Sequence, residues 1–511
     1  MKIIGIDIGT SGLKMSVYDE QINILKSDST SYTVQSPRSG VVELDPNIIW
    51  KSLKETISRL FLDMPVEEKE YVVSFSFLGD ALIVTDEKFN PLMSSILSSD
   101  TRSAEYSEII SKQLNKKELY LKTGRIPHSM SILNRLLWFR DNYEEYYKKA
   151  RWYLDYASWI LAKLGFEPAT DYSSASGMLF FNINKKRYDD EILSWAKIPE
   201  KKLPFLIPSG KYLGNLSDEV KLELGFSLNS EVKVVSGGMD QICNALGTGT
   251  VLPNQMVCSI GTVEATTTIL PDDIDNKQLF AGNYYRSVSA LPDQFVTFSF
   301  LWSGGGSLRW YRDTLGYYGK NGKESEGLNR NNLYELLIGE KTKPSKEIFL
   351  PYLSGTGPPF WNSLARGAFL GVNLASNEQN FVDAILEGVS YDLRYNLEQL
   401  QKAGIEIEKI CVVGGGSRSP KWLQIKADIV KKPILRLERQ EGGSLGAALL
   451  AGYGAGLFDN LTEAAKRVNR INGVFSPSGK YEKIYDKKYN IFKDSYIKLR
   501  DINNRISSFL R

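Results

Sequence analysis

The phrase Ile-Gly-Thr occurs twice, at Ile8-Gly9-Thr10 and at Ile260-Gly261-Thr262, about half a chain apart in 511 residues. Each copy closes an apolar run, residues 3–8 and 256–260, and precedes a second run able to fold back beside it. The unit is a strand, a tight glycine turn and a strand, used twice. Such a turn leaves backbone N–H groups outside the sheet ladder, and glycine's missing Cβ lets a bulky anion reach them. Two turns facing one another would grip the phosphates of a nucleotide. Taken singly, each copy also fits an ordinary glycine hairpin; repetition at half length argues for a duplicated fold.

The first copy is the richer. Asp7 ends its strand, Gly9 and Gly12 bracket Thr10 and Ser11, and Leu13, Met15 and Val17 alternate as in a half-buried strand. A carboxylate at that strand end can hold Mg²⁺, directly or through water, while the turn's hydroxyls and amides meet phosphate oxygens. Ser259 stands at the matching place in the second copy. One half would then hold the metal and the other only phosphate.

A chain of this length exceeds what one core usually serves, so two large domains are expected. With 42% hydrophobic and 24% charged residues the composition is that of a folded globular protein. A net charge of +3 is too small to imply nucleic acid. The most basic tract, Lys487, Lys488, Lys493, Lys498, Arg500 and Arg505, reads as the polar face of a C-terminal helix. Cys243, Cys258 and Cys411 have no paired spacing, which points to a reducing compartment, and one histidine, His128, cannot build a zinc cluster. His128 reads as a loop or packing residue. The amino terminus lacks signal-peptide character, and the apolar run 446–458 is too short to span a bilayer. A cytoplasmic protein without membrane partners is expected.

Strand-like runs fall at 2–8, 13–18, 71–77, 81–85, 232–236, 257–260 and 410–413, and helical periodicity at 46–62, 131–142, 383–401 and 421–430. The alternation predicts α/β architecture in each half. The sharpest mid-chain punctuation, Ser236-Gly237-Gly238, places the domain boundary after Ser236, giving domains 1–236 and 237–511. Residues 320–332 read as an exposed loop.

Three further segments carry chemistry. In Ser236-Gly237-Gly238-Met239-Asp240-Gln241 a carboxylate is presented where a strand opens. A kinase acting on an alcohol needs such a proton acceptor, not necessarily a strong base, since in a loose phosphoryl transfer positioning supplies most of the rate. Capping of the next helix would use the same aspartate. Gly414-Gly415-Gly416-Ser417 makes a flat surface for adenine or ribose, but it fails the dinucleotide fingerprint, because Ser419 occupies the third glycine position. Gly442-Gly443-Ser444 with Gly446-Ala447-Ala448 offers either the other side of a base pocket or close helix packing. Gly79-Asp80 and Asp100-Thr101-Arg102 suit a polyhydroxylated ligand, as would surface salt bridges. No G-x-x-x-x-G-K-[ST] loop occurs, so nucleotide binding rests on the hairpins.

At this point the residues carry a resemblance. Ile6-Asp7-Ile8-Gly9-Thr10-Ser11, Gly40-Val41-Val42-Glu43-Leu44-Asp45-Pro46, Gly237-Gly238-Met239-Asp240-Gln241, Ile260-Gly261-Thr262, Leu350-Pro351-Tyr352-Leu353-Ser354-Gly355, Ala365-Arg366-Gly367-Ala368-Phe369 and the late glycine segments stand in the order of the FGGY carbohydrate kinases. Each motif is moderately specific; the ordered set, spanning nearly the whole chain, is highly specific. The resemblance implies two actin-like, ribonuclease H-like ATPase domains with an interdomain cleft, Mg·ATP held mainly by the second and sugar by the first. It implies Asp240 as general base, Asp7 as metal-linked carboxylate, and Gly9, Thr10, Ser11, Gly261, Thr262 and Gly305 around the phosphates. Gly414, Gly415, Gly416 and Ser417 would face the adenosine, and Gly79, Asp80, Asp100, Arg102, Asp240 and Gln241 the substrate.

Substrate choice is where the chain departs from familiar patterns. Xylulose kinases usually carry Met-His, and glycerol kinases Arg-Glu, where Gly79-Asp80 stands here, a pair more like that of some erythritol kinases. The stretch Thr170-Asp171-Tyr172-Ser173-Ser174-Ala175-Ser176-Gly177 resembles xylulose and gluconate kinases. A ketopentose, D-xylulose first, is the expected substrate, with polyols of the erythritol or glycerol type and gluconate behind it. An actin-like ATPase driven by protein partners, or a sugar sensor without catalysis, shares the hairpins; a sensor has no need of Asp7 and Asp240. A homodimer is compatible with such a chain.

Overall fold

The structure is a computed structural model and describes residues 1–61, 70–315, 330–339 and 343–509. The chain forms two compact units, neither of them one continuous stretch. Residues 1–251, 285–296 and 441–469 make the first, and 252–284, 297–440 and 470–511 the second. The sequence reading placed a single division after Ser236; the compact units divide instead after Val251, and residues 441–469 return to the first unit.

The reason lies in small residues. The helices Asp240–Gly247 and Gly442–Gly454 pack without intervening side chains: a Cβ on Gly247 would stand 2.1 Å from the Gly442 carbonyl, and one on Gly446 would stand 1.9 Å from that of Cys243. Gly5, on the first strand, is pressed equally close to Ser444. The Gly442–Ala448 segment is thus spent on helix and sheet packing within the first unit.

The first unit's sheet has the order Tyr212–Asn215, Glu231–Val235, Glu70–Phe77, Lys2–Ile8, Gly12–Tyr18, Ile24–Ser31. Lys2–Ile8 pairs antiparallel with the next strand, Asp7 opposite Lys14, and parallel with Glu70–Phe77, Asp7 opposite Ser76. In the second unit's sheet, Phe295–Leu301, Glu264–Ile269, Met256–Ile260, Ile410–Val413, Ile434–Leu437 and Ile471–Phe475 lie in that order. Met256–Ile260 is again antiparallel to its hairpin partner and parallel to its other neighbour. Each sheet continues with one more parallel strand and ends in an antiparallel one. The duplication read from Ile-Gly-Thr is therefore one of topology, strand for strand.

Apolar alternation decides which faces are buried. Ile4, Ile6, Ile8, Leu13, Met15 and Val17 enter one core with Ile49, Leu53 and Ile57 of the helix Pro46–Phe61. All seven strand-like runs contain strands, and all four helical runs appear with ends shifted by a few residues. The loop expected at 320–332 lies outside the described residues up to 329; from Arg330 the chain is helical. The C-terminal helix Glu482–Phe509 forms, but Lys488 does not belong to its polar face: it is buried against Glu387. Among the described residues no helix is long and apolar enough to cross a membrane.

Candidate active site

In the first unit the turn between Lys2–Ile8 and Gly12–Tyr18 is held by its own backbone, Gly9 N–H donating to Gly12 O at 2.9 Å. The Tyr32 hydroxyl donates to Gly9 O at 2.5 Å. Thr10 and Ser11 are left exposed at the tip. Asp7 accepts a 2.6 Å hydrogen bond from the Ser76 hydroxyl, and burial, the largest influence, raises its carboxyl above the ordinary range. Its carboxylate rests on the first turn of Gly442–Gly454, where positive ends of peptide dipoles favour an anion.

Asp240 is brought into the same group. Gly238 and Met239 pair with Ser76 and Phe77, one strand from Asp7, and Asp240 opens the following helix. Met239 holds the cap position, and among the described residues the Asp240 carboxylate accepts only from the neighbouring Gln241 N–H, at 2.6 Å. Capping therefore does not account for Asp240. Burial pushes its carboxyl up to about 7, the charges of Asp7 and Asp80 adding to the effect. Such a group gains and loses a proton near neutrality.

Asp80 sits in left-handed backbone, φ 56°, after Gly79, whose missing Cβ leaves room for Met239. Its Oδ2 is paired with Arg125 Nη1 at 3.2 Å, Arg135 donates to its carbonyl, and its Oδ1 is packed against Gly177 with no hydrogen-bond partner among the described residues. Arg125 and Arg135 are both buried, and burial lowers Arg135 to about 10. His128 lies among them, held down to about 4 by burial and by the two guanidinium charges, and is a neutral packing residue at physiological pH.

Asp100 and Arg102 form a separate brace. The fully buried Asp100 carboxylate accepts from Val42 N–H at 2.7 Å and from Arg102, and Arg102 also reaches Glu43 at 2.7 Å. This explains the Gly40–Pro46 motif: Gly40 O, Val42 N–H and the Glu43 carboxylate together tie down Asp100-Thr101-Arg102. Gln241 follows Asp240, half-buried.

The second unit holds a cavity of about 1290 Å³, lined by Gly261, Thr262, Gly305, Gly415 and Gly416 among others. Gly261 N–H donates to Val263 O at 3.1 Å, and the turn is backed by Gly305 N–H to Gly261 O at 2.9 Å and Gly306 N–H to Thr262 O at 3.0 Å. Arg309 donates to the Thr262 hydroxyl at 3.0 Å. Gly414 adopts φ 88° to turn the chain into the short helix Gly415–Arg418. Gly414 and Ser417 do not line the cavity; Ser417 is buried, bonded to Gly414 O and Gln440 at 2.7 Å each.

Sequence reasoning missed Tyr32, Ser76 and Gly443 around Asp7, Arg125 and Arg135 around Asp80, and Arg309 and Trp422 on the cavity. Arg309 had a nearby signal, the glycine run 304–306, and Gly443 stood in the Gly442-Gly443-Ser444 segment, read as a base-pocket or packing surface and not as a support for Asp7. The others come from distant segments and carry no motif. Among the described residues no three His, Cys, Asp or Glu side chains are grouped to hold a metal. Asp7, bonded to Ser76, offers a single carboxylate beside the first glycine turn.

Fold and site define an actin-like, ribonuclease H-like α/β phosphotransferase. The description "FGGY family of carbohydrate kinases" matches residues 2–247 through its N-terminal domain and 256–455 through its C-terminal domain. The chain belongs to that family and is a carbohydrate kinase, with ATP as phosphoryl donor and a small sugar as acceptor. It is 27% identical to a xylulose kinase of Bacillus subtilis over 99% of both chains, and 29% identical to a gluconokinase of the same organism over 90% of this chain and 88% of that one. The ligand-bound xylulose kinase from Lactobacillus acidophilus superposes with a TM-score of 0.87 at 25% identity, covering 99% of each chain.

Proposed function

We propose that this kinase phosphorylates a hydroxyl of D-xylulose with ATP and Mg²⁺. The observation that carries the reading is Asp240, a carboxyl held up to about 7 beside Asp7 and Asp80. It orients the acceptor hydroxyl and takes its proton as the oxygen bonds to the γ-phosphorus of ATP and the bond from that phosphorus to ADP breaks, ADP leaving. Asp7, fixed by Ser76 and Gly443, offers its carboxylate to Mg²⁺, which when bound neutralises charge on the phosphates. Gly9, Thr10, Ser11, Gly261 and Thr262 supply turn amides and hydroxyls to phosphate oxygens. Gly305 backs the second turn, Gly415 and Gly416 form a wall for the nucleoside, and Gly414 and Ser417 hold that wall's shape. Gly79, Asp80 and Gln241 meet the sugar, while Asp100 and Arg102 fix the adjoining segment. The first part of the chain thus serves sugar and the second the nucleotide. A reducing, cytoplasmic setting agrees with three free cysteines, two of them buried. Assembly as a homodimer agrees with this reading and is measured by light scattering.

A sugar acid is the second reading, favoured by the buried Arg125 and Arg135 beside Asp80. ADP release measured over ketopentoses, tetritols, glycerol and gluconate decides between them. The highest kcat/KM is expected with D-xylulose. A preference for gluconate selects the second reading, and ADP release indifferent to every acceptor overturns both.

A further inference from the structure

One ion pair in the second unit is fully enclosed. Lys426 Nζ donates to both carboxylate oxygens of Glu264, at 2.9 and 2.8 Å, and neither side chain meets solvent. Isolated burial of either charge is costly, and such pairs seldom add net stability over an apolar core. Its placement suggests another use.

Glu264 lies two residues beyond Thr262 and opens the strand Glu264–Ile269, directly opposite Ile260 across the glycine turn. The helix Gly304–Thr314 starts hard against it: a Cβ on Gly304 would stand 2.5 Å from Glu264 N. Lys426 lies on the helix Pro420–Val430, one turn after Trp422. Trp422 lines the cavity, and Gly416 is packed so closely on its ring that a Cβ there would stand 2.8 Å from it. One end of the pair is thus built into the Gly261–Thr262 side of the cavity and the other into the Gly415–Gly416 side. Asp392 stands close enough for the Glu264 charge to act on it, and burial with that charge pushes its carboxyl up to about 7. Lys426 is the ion-pair partner of Glu264, and its charge acts against that rise at Asp392.

We propose that Glu264 and Lys426 are positioning residues that set the separation of the two glycine walls and thereby the affinity for the nucleotide. The inference rests on the nucleotide reading of this cavity. An ion pair spanning the walls fixes their spacing directionally, which apolar contacts alone do not, and misplacement by a fraction of an ångström is enough to weaken a phosphate cradle.

The test uses full-length protein, with ADP binding measured by calorimetry and sugar KM at saturating ATP. Lys426→Met and Glu264→Gln are each expected to weaken ADP binding by roughly tenfold while sugar KM stays within about twofold. Each single variant also strands a buried polar group. The double variant Glu264→Leu/Lys426→Met removes both charges without stranding a polar side chain and is expected to regain most of the lost melting temperature, yet to keep the weakened ADP binding, because the bridge is still missing. A purely structural role predicts that ADP affinity returns together with stability, and that result overturns the proposal, as does a rise in sugar KM equal to the loss in ADP affinity. Wild-type protein that binds no ADP would instead overturn the nucleotide reading beneath it.

Discussion

The Asp7 carboxylate fills the space where Gly443 would carry a side chain, its Cγ 2.6 Å from the Cβ position. The two residues come from near opposite ends of the sequence, and each constrains the other: the carboxylate is oriented by Ser76 on one side and by a helix start that tolerates no methyl on the other. Gly443→Ala would ordinarily favour the helix by up to about 1 kcal/mol. Here the methyl must displace the carboxylate. The expected outcome is a loss of kcat of about tenfold or more with a raised Mg²⁺ requirement, read from rate against Mg²⁺ concentration. An unaltered Mg²⁺ curve would separate Asp7 from the metal.

Asp240→Asn keeps size and shape while removing the proton acceptor. Turnover in a coupled ADP assay is expected to fall by on the order of 10³ or more, with ADP affinity nearly unchanged, because the lost interaction belongs to the reacting hydroxyl. A loss of only a few-fold would reject the general-base role.

The raised carboxyl of Asp240 also sets a pH dependence. Burial chiefly, then Asp7 and Asp80, hold it up to about 7, so below that pH it is protonated and cannot accept the hydroxyl proton. kcat/KM for sugar should rise with pH through about 7 and then level, and Asp240→Asn should abolish that limb. The stability effect has the opposite sense. The unfolded chain releases this proton near the ordinary value of 3.8 while the folded state retains it to about 7, so Asp240's contribution to stability falls as pH climbs across that window. Denaturant melts of wild type and Asp240→Asn at pH 4 and 8 measure the difference.

Arg125 is the sole ion-pair partner recorded for the Asp80 carboxylate among the described residues, and its guanidinium lies over the Tyr285 ring at 4.4 Å. Arg125→Leu leaves the buried Asp80 carboxylate without its ion pair, the Arg135 guanidinium bonding only to the Asp80 backbone carbonyl. A destabilisation of about 3 kcal/mol is expected, with a raised sugar KM and unchanged ADP binding. If KM for the sugar stays put in the folded variant, Asp80 does not meet the substrate.

What the sequence revealed was what is local. The Ile-Gly-Thr repeat predicted two hairpins because strand, turn and strand are contiguous, and apolar alternation placed their buried faces. Asp240 was legible because Gly237 and Gly238 announce a chain opening. The supports were not. Ser76, Tyr32 and Gly443 reach Asp7 from three separate segments; nothing near Ser76 or Tyr32 marks them, and the glycine segment around Gly443 does not say which residue it packs against. The division after Ser236 rests on glycine punctuation, which is local, whereas the packing of Gly247 on Gly442 and Gly446 on Cys243 is a long-range event that joins both helices in one compact unit. Ser417 shows the reverse error, a polar residue in a glycine run that turns inward to Gln440.

Two adjacent glycines give the sharpest test of the cavity. A Cβ on Gly416 would stand 2.3 Å from Ile260 Cγ2 and 2.8 Å from the Trp422 ring, whereas one on Gly415 would meet nothing within 4 Å. Gly415 also has ordinary negative-φ backbone, unlike Gly414, so alanine there creates neither strain nor clash with the protein. Any effect of Gly415→Ala must come from what enters the cavity. The melting temperature is expected to match wild type while KM for ATP rises several-fold and sugar KM holds. Gly416→Ala must push on Ile260 and Trp422 and should lose stability by about 1–3 kcal/mol along with nucleotide affinity. If Gly415→Ala binds ATP as tightly as wild type, the nucleoside does not lie against this wall, and the assignment of the cavity fails.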